Sequence, residues 1–290
     1  MRDGQTGARS GVGIALALIA LLLSGLAFYR SGRTSRPPDI VEVPGLLAKI
    51  ERTGELHAGY GVYPPYTQED PNTKQVTGLS VELIEQIAKE LKCKVVWHRL
   101  NWNTMSADLK RGEYDVIADP IFQTIPRARE FAFTEPYASF ADGIAVVRKD
   151  DNRFNSFESL DRDGITIAVG QGWASETLVR TKFVKPNIVS VQTTTDLLQV
   201  FNEVISGRAD VAIADGADAE RFVQEHAAVV KALWLDNPPA FAPAGFALRP
   251  TDVSGAEFLT VSLRYLRGLG VIDALAQKYK TQPSKPNADR

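Results

Sequence analysis

The chain has 290 residues, 44% of them hydrophobic and 23% charged, with a formal net charge of −2. That balance excludes a disordered or fibrous chain and leaves no basic footprint for nucleic acid. A single cysteine, Cys93, excludes an intramolecular disulfide, and the three histidines (His57, His98, His226) show no paired spacing that would suggest a metal site.

The basic excess lies at the start, where Arg2, Arg9, Arg30, Arg33 and Arg36 face only Asp3. The remainder is therefore acidic, a poor partner for phosphates or anionic lipid. Residues 11–28 form an apolar run broken only by Ser24, roughly 27 Å long as a helix and just enough to span a bilayer. Two readings stay open. Arg2 and Arg9 suit a cleaved signal peptide, but Phe28-Tyr29-Arg30 is a poor cleavage site, and no cysteine stands near for lipid attachment. An uncleaved inner-membrane anchor fits the length, although Arg30, Arg33 and Arg36 count against that orientation. Either way the body is exported to the periplasm. Residues 1–40 are thus one N-terminal hydrophobic helix, anchor or signal, and a linker ending at Pro37-Pro38.

The body alternates short β-branched runs with helical patterns, which predicts an α/β fold. Strands are expected at 56–58, 95–97, 116–118 and 143–147, with helices at 79–91 and 103–110. In the helix 79–91, Leu79, Leu83, Ile84, Ile87 and Leu91 recur at the spacing of one face. A second unit follows Lys149. Its strands are expected at 165–169, 188–191, 211–213, 232–235 and 245–248, and its helices at 173–183, 196–205 and 217–226. Two closing helices, 255–266 and 271–279, precede a polar tail at 281–290. One internal echo stands out. Residues 110–119, KRGEYDVIAD, resemble 206–215, SGRADVAIAD; each is a helix end, a glycine turn and a strand finishing on an aspartate. Ligands sit at the carboxyl ends of strands in open α/β sheets, so two such units suggest a cleft between two lobes. Spacing alone leaves open whether Asp119 and Asp215 face a ligand or cap a turn.

The stretches Tyr63-Pro64-Pro65-Tyr66, GLSVEL at 78–83, GEYDVI at 112–117, IPRAR at 125–129, FTEPY at 133–137, AVGQG at 168–172 and GRAD at 207–210 fall in one order. In that order the chain resembles the family-3 extracellular (periplasmic) solute-binding proteins, the polar-amino-acid type that serves ABC importers. The resemblance implies a periplasmic binding protein type II-like fold of two α/β lobes joined by two hinge strands. Lobe 1 is expected at 41–141 and 242–280 and lobe 2 at 142–241, closing on a ligand like a hinged clamp. It further implies that Arg127 grips the ligand α-carboxylate with a guanidinium fork and that Asp215 receives the α-ammonium group. Tyr63 and Trp102 would flank the ligand body, and the backbone amides of Gly172, Trp173 and Ala174 would meet its carboxylate at a helix N-terminus.

The chain departs from the family pattern in the same region. Pro120 and Phe122 stand where a small residue and a hydroxyl donor are usual, Asp119 replaces alanine or serine, and Trp173 replaces threonine or serine. Asp119 with Asp215 would make the pocket more negative and favour a cationic ligand. The expected function is capture of an amino acid or similar small zwitterion for an ABC permease, with no chemistry, no cofactor and no nucleic-acid partner. Two alternatives remain: a membrane-anchored sensory or accessory module, and a dehydratase of prephenate-like acids on the same fold.

Overall fold

The computed structural model describes residues 43–193 and 196–281. The apolar run at 11–28, its linker and residues 282–290 of the expected tail lie outside the described residues. Among the described residues, no helix is long and apolar enough to cross a membrane.

The chain opens with helix Leu46–Thr53, whose first amide donates to Asp252 Oδ2 at 2.7 Å and whose end is set by Gly54 in the left-handed region at φ 69°. It then runs through β1 (Glu55–Tyr60), a small hairpin of β2 (Gln68–Glu69) and β3 (Val76–Thr77), helix Leu79–Glu90 and β4 (Lys94–Arg99). Helix Met105–Arg111, β5 (Val116–Phe122), the short helix Ile125–Ala128, β6 (Ala132–Phe133) and β7 (Ala138–Asp142) follow. Next come β8 (Ile144–Arg148), β9 (Thr166–Gly170), helix Ala174–Lys182, β10 (Asn187–Val191), a 3-10 turn Leu197–Phe201 and helix Asn202–Ile205. The chain closes with β11 (Val211–Ala214), helix Gly216–Glu225, β12 (Val230–Leu233), β13 (Ala240–Leu248) and helices Val253–Gly268 and Val271–Lys278.

Two sheets result. In the first, β4, β1 and β5 run parallel, and β13 pairs antiparallel with β5, β6 and β7. In the second, the order is β10-β9-β11-β8-β12, parallel for the first three and antiparallel from β11 to β12. The chain leaves the first sheet where β7 ends at Asp142, turns at Gly143 (φ 81°) and starts β8; it returns along β13. β7 and β13 pair side by side, Ala138 with Ala244 through Asp142 with Ala240, so the two connecting strands are hydrogen-bonded to each other.

Period-2 alternation in the second sheet builds two cores. Ile144, Val146, Ala212 and Ala214 face one side, with Val200, Phe201 and Phe222; Ala145, Val147, Ile167 and Ile213 face the other, with Phe157 and Val179. In the first sheet, helix Leu79–Glu90 buries Leu79, Leu83, Ile84 and Ile87 against β1 and β5 as its 3.6-residue pattern requires. Fully buried Phe201 and Phe246 each contribute roughly 2–3 kcal/mol by removal from water.

The expected helix at 196–205 divides into the 3-10 turn and a single α turn. The tighter winding turns Leu197, Val200 and Phe201 inward together, and Asp196 caps it by accepting from Leu198 N–H at 2.9 Å. β5 runs on through Pro120, further than its apolar run suggested. A proline removes a ladder donor, and the β13 register slips between Gly245 and Ala247, opposite residues 118–120.

Candidate functional site

Between the two sheets lies a cavity of about 490 Å³, part of it open to solvent. Tyr63, Trp102, Pro120, Ile121, Phe122 and Arg127 line it from the first sheet's side. Trp173, Ala174, Ser175, Leu197, Asp215 and Asp218 line it from the second. Phe122 ends β5, and Trp173 and Asp215 follow the carboxyl ends of β9 and β11, where open α/β sheets place their ligands.

The aromatic wall is braced from behind by a connecting strand. Phe140 on β7 stacks on Phe122 (centroids 4.8 Å, 24° between planes) and meets Tyr63 edge-on at 5.6 Å. The two tryptophans lie flat against glycines: a Cβ at Gly61 would overlap the Trp102 ring, and one at Gly170 would overlap Trp173. Small residues at those strand ends thus decide where the indoles stand.

Arg127 sits on the short helix Ile125–Ala128, which Thr124 caps by accepting from Arg127 N–H at 3.3 Å. Its guanidinium donates to Phe122 O at 3.3 Å and, across the cavity mouth, to Gly172 O at 3.0 Å. Burial pulls its pKa down to about 10, which leaves it charged at neutral pH.

Asp215 caps helix Gly216–Glu225 and lines the cavity at once. Its Oδ1 accepts from Ala217 N–H (3.0 Å), Asp218 N–H (3.1 Å) and, from the opposite sheet, the Tyr63 hydroxyl (3.1 Å). Capping and lining the cavity are therefore compatible, because the three bonds all fall on Oδ1. Asp218, three residues on, pairs with Arg221 at 2.9 Å. Burial pushes both carboxyl groups up, Asp218 well above the ordinary range, with the neighbouring Asp215 charge adding to it. Asp142, at the end of β7, accepts from Gly143 N–H at 2.8 Å and is pushed up to about 6, chiefly by burial.

Two sequence-derived candidates stand elsewhere. Asp119 does not reach the cavity: it is fully buried, with Oδ2 accepting from Gly61 N–H and Oδ1 from the Thr67 hydroxyl. Those two bonds turn its carboxylate onto the segment 61–67, where it ties down the loop that carries Tyr63. Gly172 lines an adjoining opening with Trp102, Arg127 and Trp173. Its N–H already donates to Glu176 Oε2 at 2.7 Å, and Trp173 N–H closes a turn on Gly170 O at 3.1 Å. Of the three amides expected to meet a carboxylate, only that of Ala174 starts the helix without such a partner among the described residues, and Ser175 follows it into the cavity wall. Asp218, Ser175, Leu197 and Ile121 were not anticipated. Asp218 was findable, since it lies three residues after the Asp215 cap and so one turn along the same helix face.

A cavity between two sheets joined by paired strands, with a guanidinium and carboxylates in its wall, defines a two-lobed binding fold. The sequence profile of the bacterial extracellular solute-binding proteins, family 3, matches residues 56–279, and the chain belongs to that family. Membership places the folded body outside the cytoplasm. A "Probable amino-acid ABC transporter-binding protein" of Haemophilus influenzae is 28% identical over 208 residues, 71% of this chain and 74% of its own length. The cyclohexadienyl dehydratase of Pseudomonas aeruginosa is 25% identical over 205 residues, 71% of this chain and 70% of its own. Among solved structures, an ancestral amino acid-binding protein described as a precursor of cyclohexadienyl dehydratase aligns with a TM-score of 0.66 at 28% identity, covering 80% of this chain and 98% of its own.

Proposed function

We propose that this protein captures an amino acid or a similar small zwitterion and hands it to an ABC importer, without chemistry on the ligand. The observation that carries the reading is one aromatic-walled cavity holding both a charged guanidinium, Arg127, and buried carboxylates, Asp215 and Asp218. A guanidinium fork suits an α-carboxylate, with Ala174 and Ser175 beside it at a helix start. The carboxylates and the Tyr63 face suit an ammonium group. Lobe 1 comprises 41–141 and 242–280, lobe 2 comprises 142–241, and the β7 and β13 strands act as the hinge between them. The acidity favours a cationic ligand, now on the ground of Asp218 with Asp215 rather than Asp119. Calorimetric titration with arginine, lysine, ornithine and glutamate tests this: binding of the cationic amino acids supports it, and a clear preference for glutamate overturns the cationic reading.

Residues 11–28 serve, in this reading, as an uncleaved inner-membrane anchor, supported by the length of the apolar run and the poor cleavage site after it. A mature N-terminus beginning after residue 30, found by mass spectrometry, would replace the anchor with a signal peptide. Co-purification of the anchored protein with a permease, against a kinase or another membrane complex, separates transport from a sensory role. A dehydratase reading has one observation in its favour: Asp218 is a buried carboxyl group in the cavity wall whose pKa burial pushes upward, the direction a general acid requires. Turnover of prephenate or arogenate by the purified body would establish that reading in place of simple binding.

A further inference from the structure

Resting on the amino-acid reading above, we infer that Asp215 and Asp218 form one ammonium subsite that holds a single shared proton when empty and gives it up when a primary ammonium arrives. The geometry carries this. Both residues lie at the start of the ten-residue helix Gly216–Glu225, both line the cavity, and they are only 6% and 3% exposed. Each uses one oxygen for structure. Asp215 Oδ1 takes the two capping amides and the Tyr63 hydroxyl, and Asp218 Oδ1 takes Arg221. Among the described residues no N–H or O–H donates to either Oδ2, and Asp218 N–H donates to Asp215 Oδ1 at 3.1 Å, so the two carboxyl groups are neighbours on one helical turn. Two neighbouring buried carboxylates repel unless one proton is retained between them.

The surrounding charges point the same way. From β7, Asp142 faces Asp215; from the segment before the 3-10 turn, Asp196 faces Asp218. Against these four carboxyl groups stand Arg221 on the helix itself and Arg127, which faces Asp142 from the other side of the cavity. Tyr63 is neutral, its hydroxyl held protonated by burial and by Asp215 and Asp218. With two guanidinium groups for four carboxyl groups, one retained proton relieves the pair, in line with the upward shift of both groups.

A primary ammonium carries three N–H donors, enough for both Oδ2 atoms and one further acceptor. The exchange balances: the ammonium enters with its charge and one proton leaves to solvent. The subsite therefore selects primary amines. An N-trimethylated amino acid keeps the charge but has no donor, and an α-hydroxy acid has a donor but no charge; neither displaces the proton productively.

Two measurements test this. L-arginine and L-lysine are titrated calorimetrically at pH 7 in phosphate and in Tris, which differ in ionisation enthalpy. The expected result is release of about one proton per amino acid, with affinity rising as pH rises, up to tenfold per pH unit, over the range in which the empty pair holds its proton. Asp218→Asn should bring the release close to zero. Binding without proton release overturns the inference and leaves the amino-acid reading standing. Infrared spectroscopy of the ligand-free wild-type protein at pH 8 needs no ligand at all. One protonated carboxyl band per molecule, absent from Asp218→Asn, is expected. A wild-type spectrum without that band overturns the inference, even if no amino acid binds and the functional reading fails separately.

Discussion

Replacing Asp119 with asparagine should change how stability depends on pH and leave ligand choice alone. The carboxyl group is completely buried, and burial lifts its pKa from 3.8 to about 6, outweighing the opposite pull of the Thr67 and Gly61 hydrogen bonds. A raised acid binds its proton more tightly in the folded protein than in the unfolded chain. Its stabilising contribution is complete below the unfolded value and is lost as pH rises through about 6. A gap of about 2 pKa units corresponds to about 3 kcal/mol. Asparagine keeps an acceptor for Gly61 and can donate to the Thr67 hydroxyl, but it does not titrate. Urea denaturation of both proteins at pH 4 and pH 7.5 reads the difference. The stability gap should move by roughly 2.4 kcal/mol in favour of Asp119→Asn between the two pH values, since pH 4 lies just above the unfolded value, with unchanged dependence on urea. A gap that stays constant, or moves toward the wild type, refutes the account, because hydrogen bonding to the carboxylate would then outweigh its burial.

Arg127→Lys keeps the charge and loses the fork that now spans Phe122 O and Gly172 O, so affinity for α-carboxylate ligands should fall about 100-fold by calorimetry. Tyr63→Phe removes the hydroxyl that reaches Asp215 across the cavity. A roughly tenfold loss of affinity is expected, with about 1 kcal/mol or less of change in unfolding free energy. Gly170→Ala places a Cβ where the Trp173 ring lies; about 1–3 kcal/mol of destabilisation and a shift in tryptophan emission should accompany the displaced indole.

Much of the site was legible because its chemistry is carried by residue types that local pattern also marks. The motif around Arg127 and the strand-ending Asp215 both reach the cavity, as do Tyr63, Trp102, Phe122, Trp173 and Ala174. Asp119 misled for a reason internal to the echo it came from. It ends the same kind of strand as Asp215, but β5 continues through Pro120 to Phe122, so Asp119 lies inside the strand and its carboxylate is taken by Gly61 and Thr67. Asp215, by contrast, follows the end of β11 and caps a helix. Gly172 illustrates a second limit. The position of its amide could be inferred, but its capture by Glu176 four residues along depends on a side-chain rotamer that no spacing reports.

What the sequence determined by itself was most of the longer strands and helices and their buried faces, since periods of 2 and 3.6 follow from backbone geometry that every residue shares; the helix Leu46–Thr53 and the two-residue strands were not among them. The family resemblance, rather than spacing, pointed to Arg127 and Asp215, and both line the cavity. Only the tertiary structure decided that Asp119 does not stand beside Asp215. Asp119 and Asp218 are equally acidic in the sequence. One is enclosed by Gly61 and Thr67 and the other opens into the cavity, a difference set by contacts between residues 52 and 58 positions apart in one case and by one helical turn in the other.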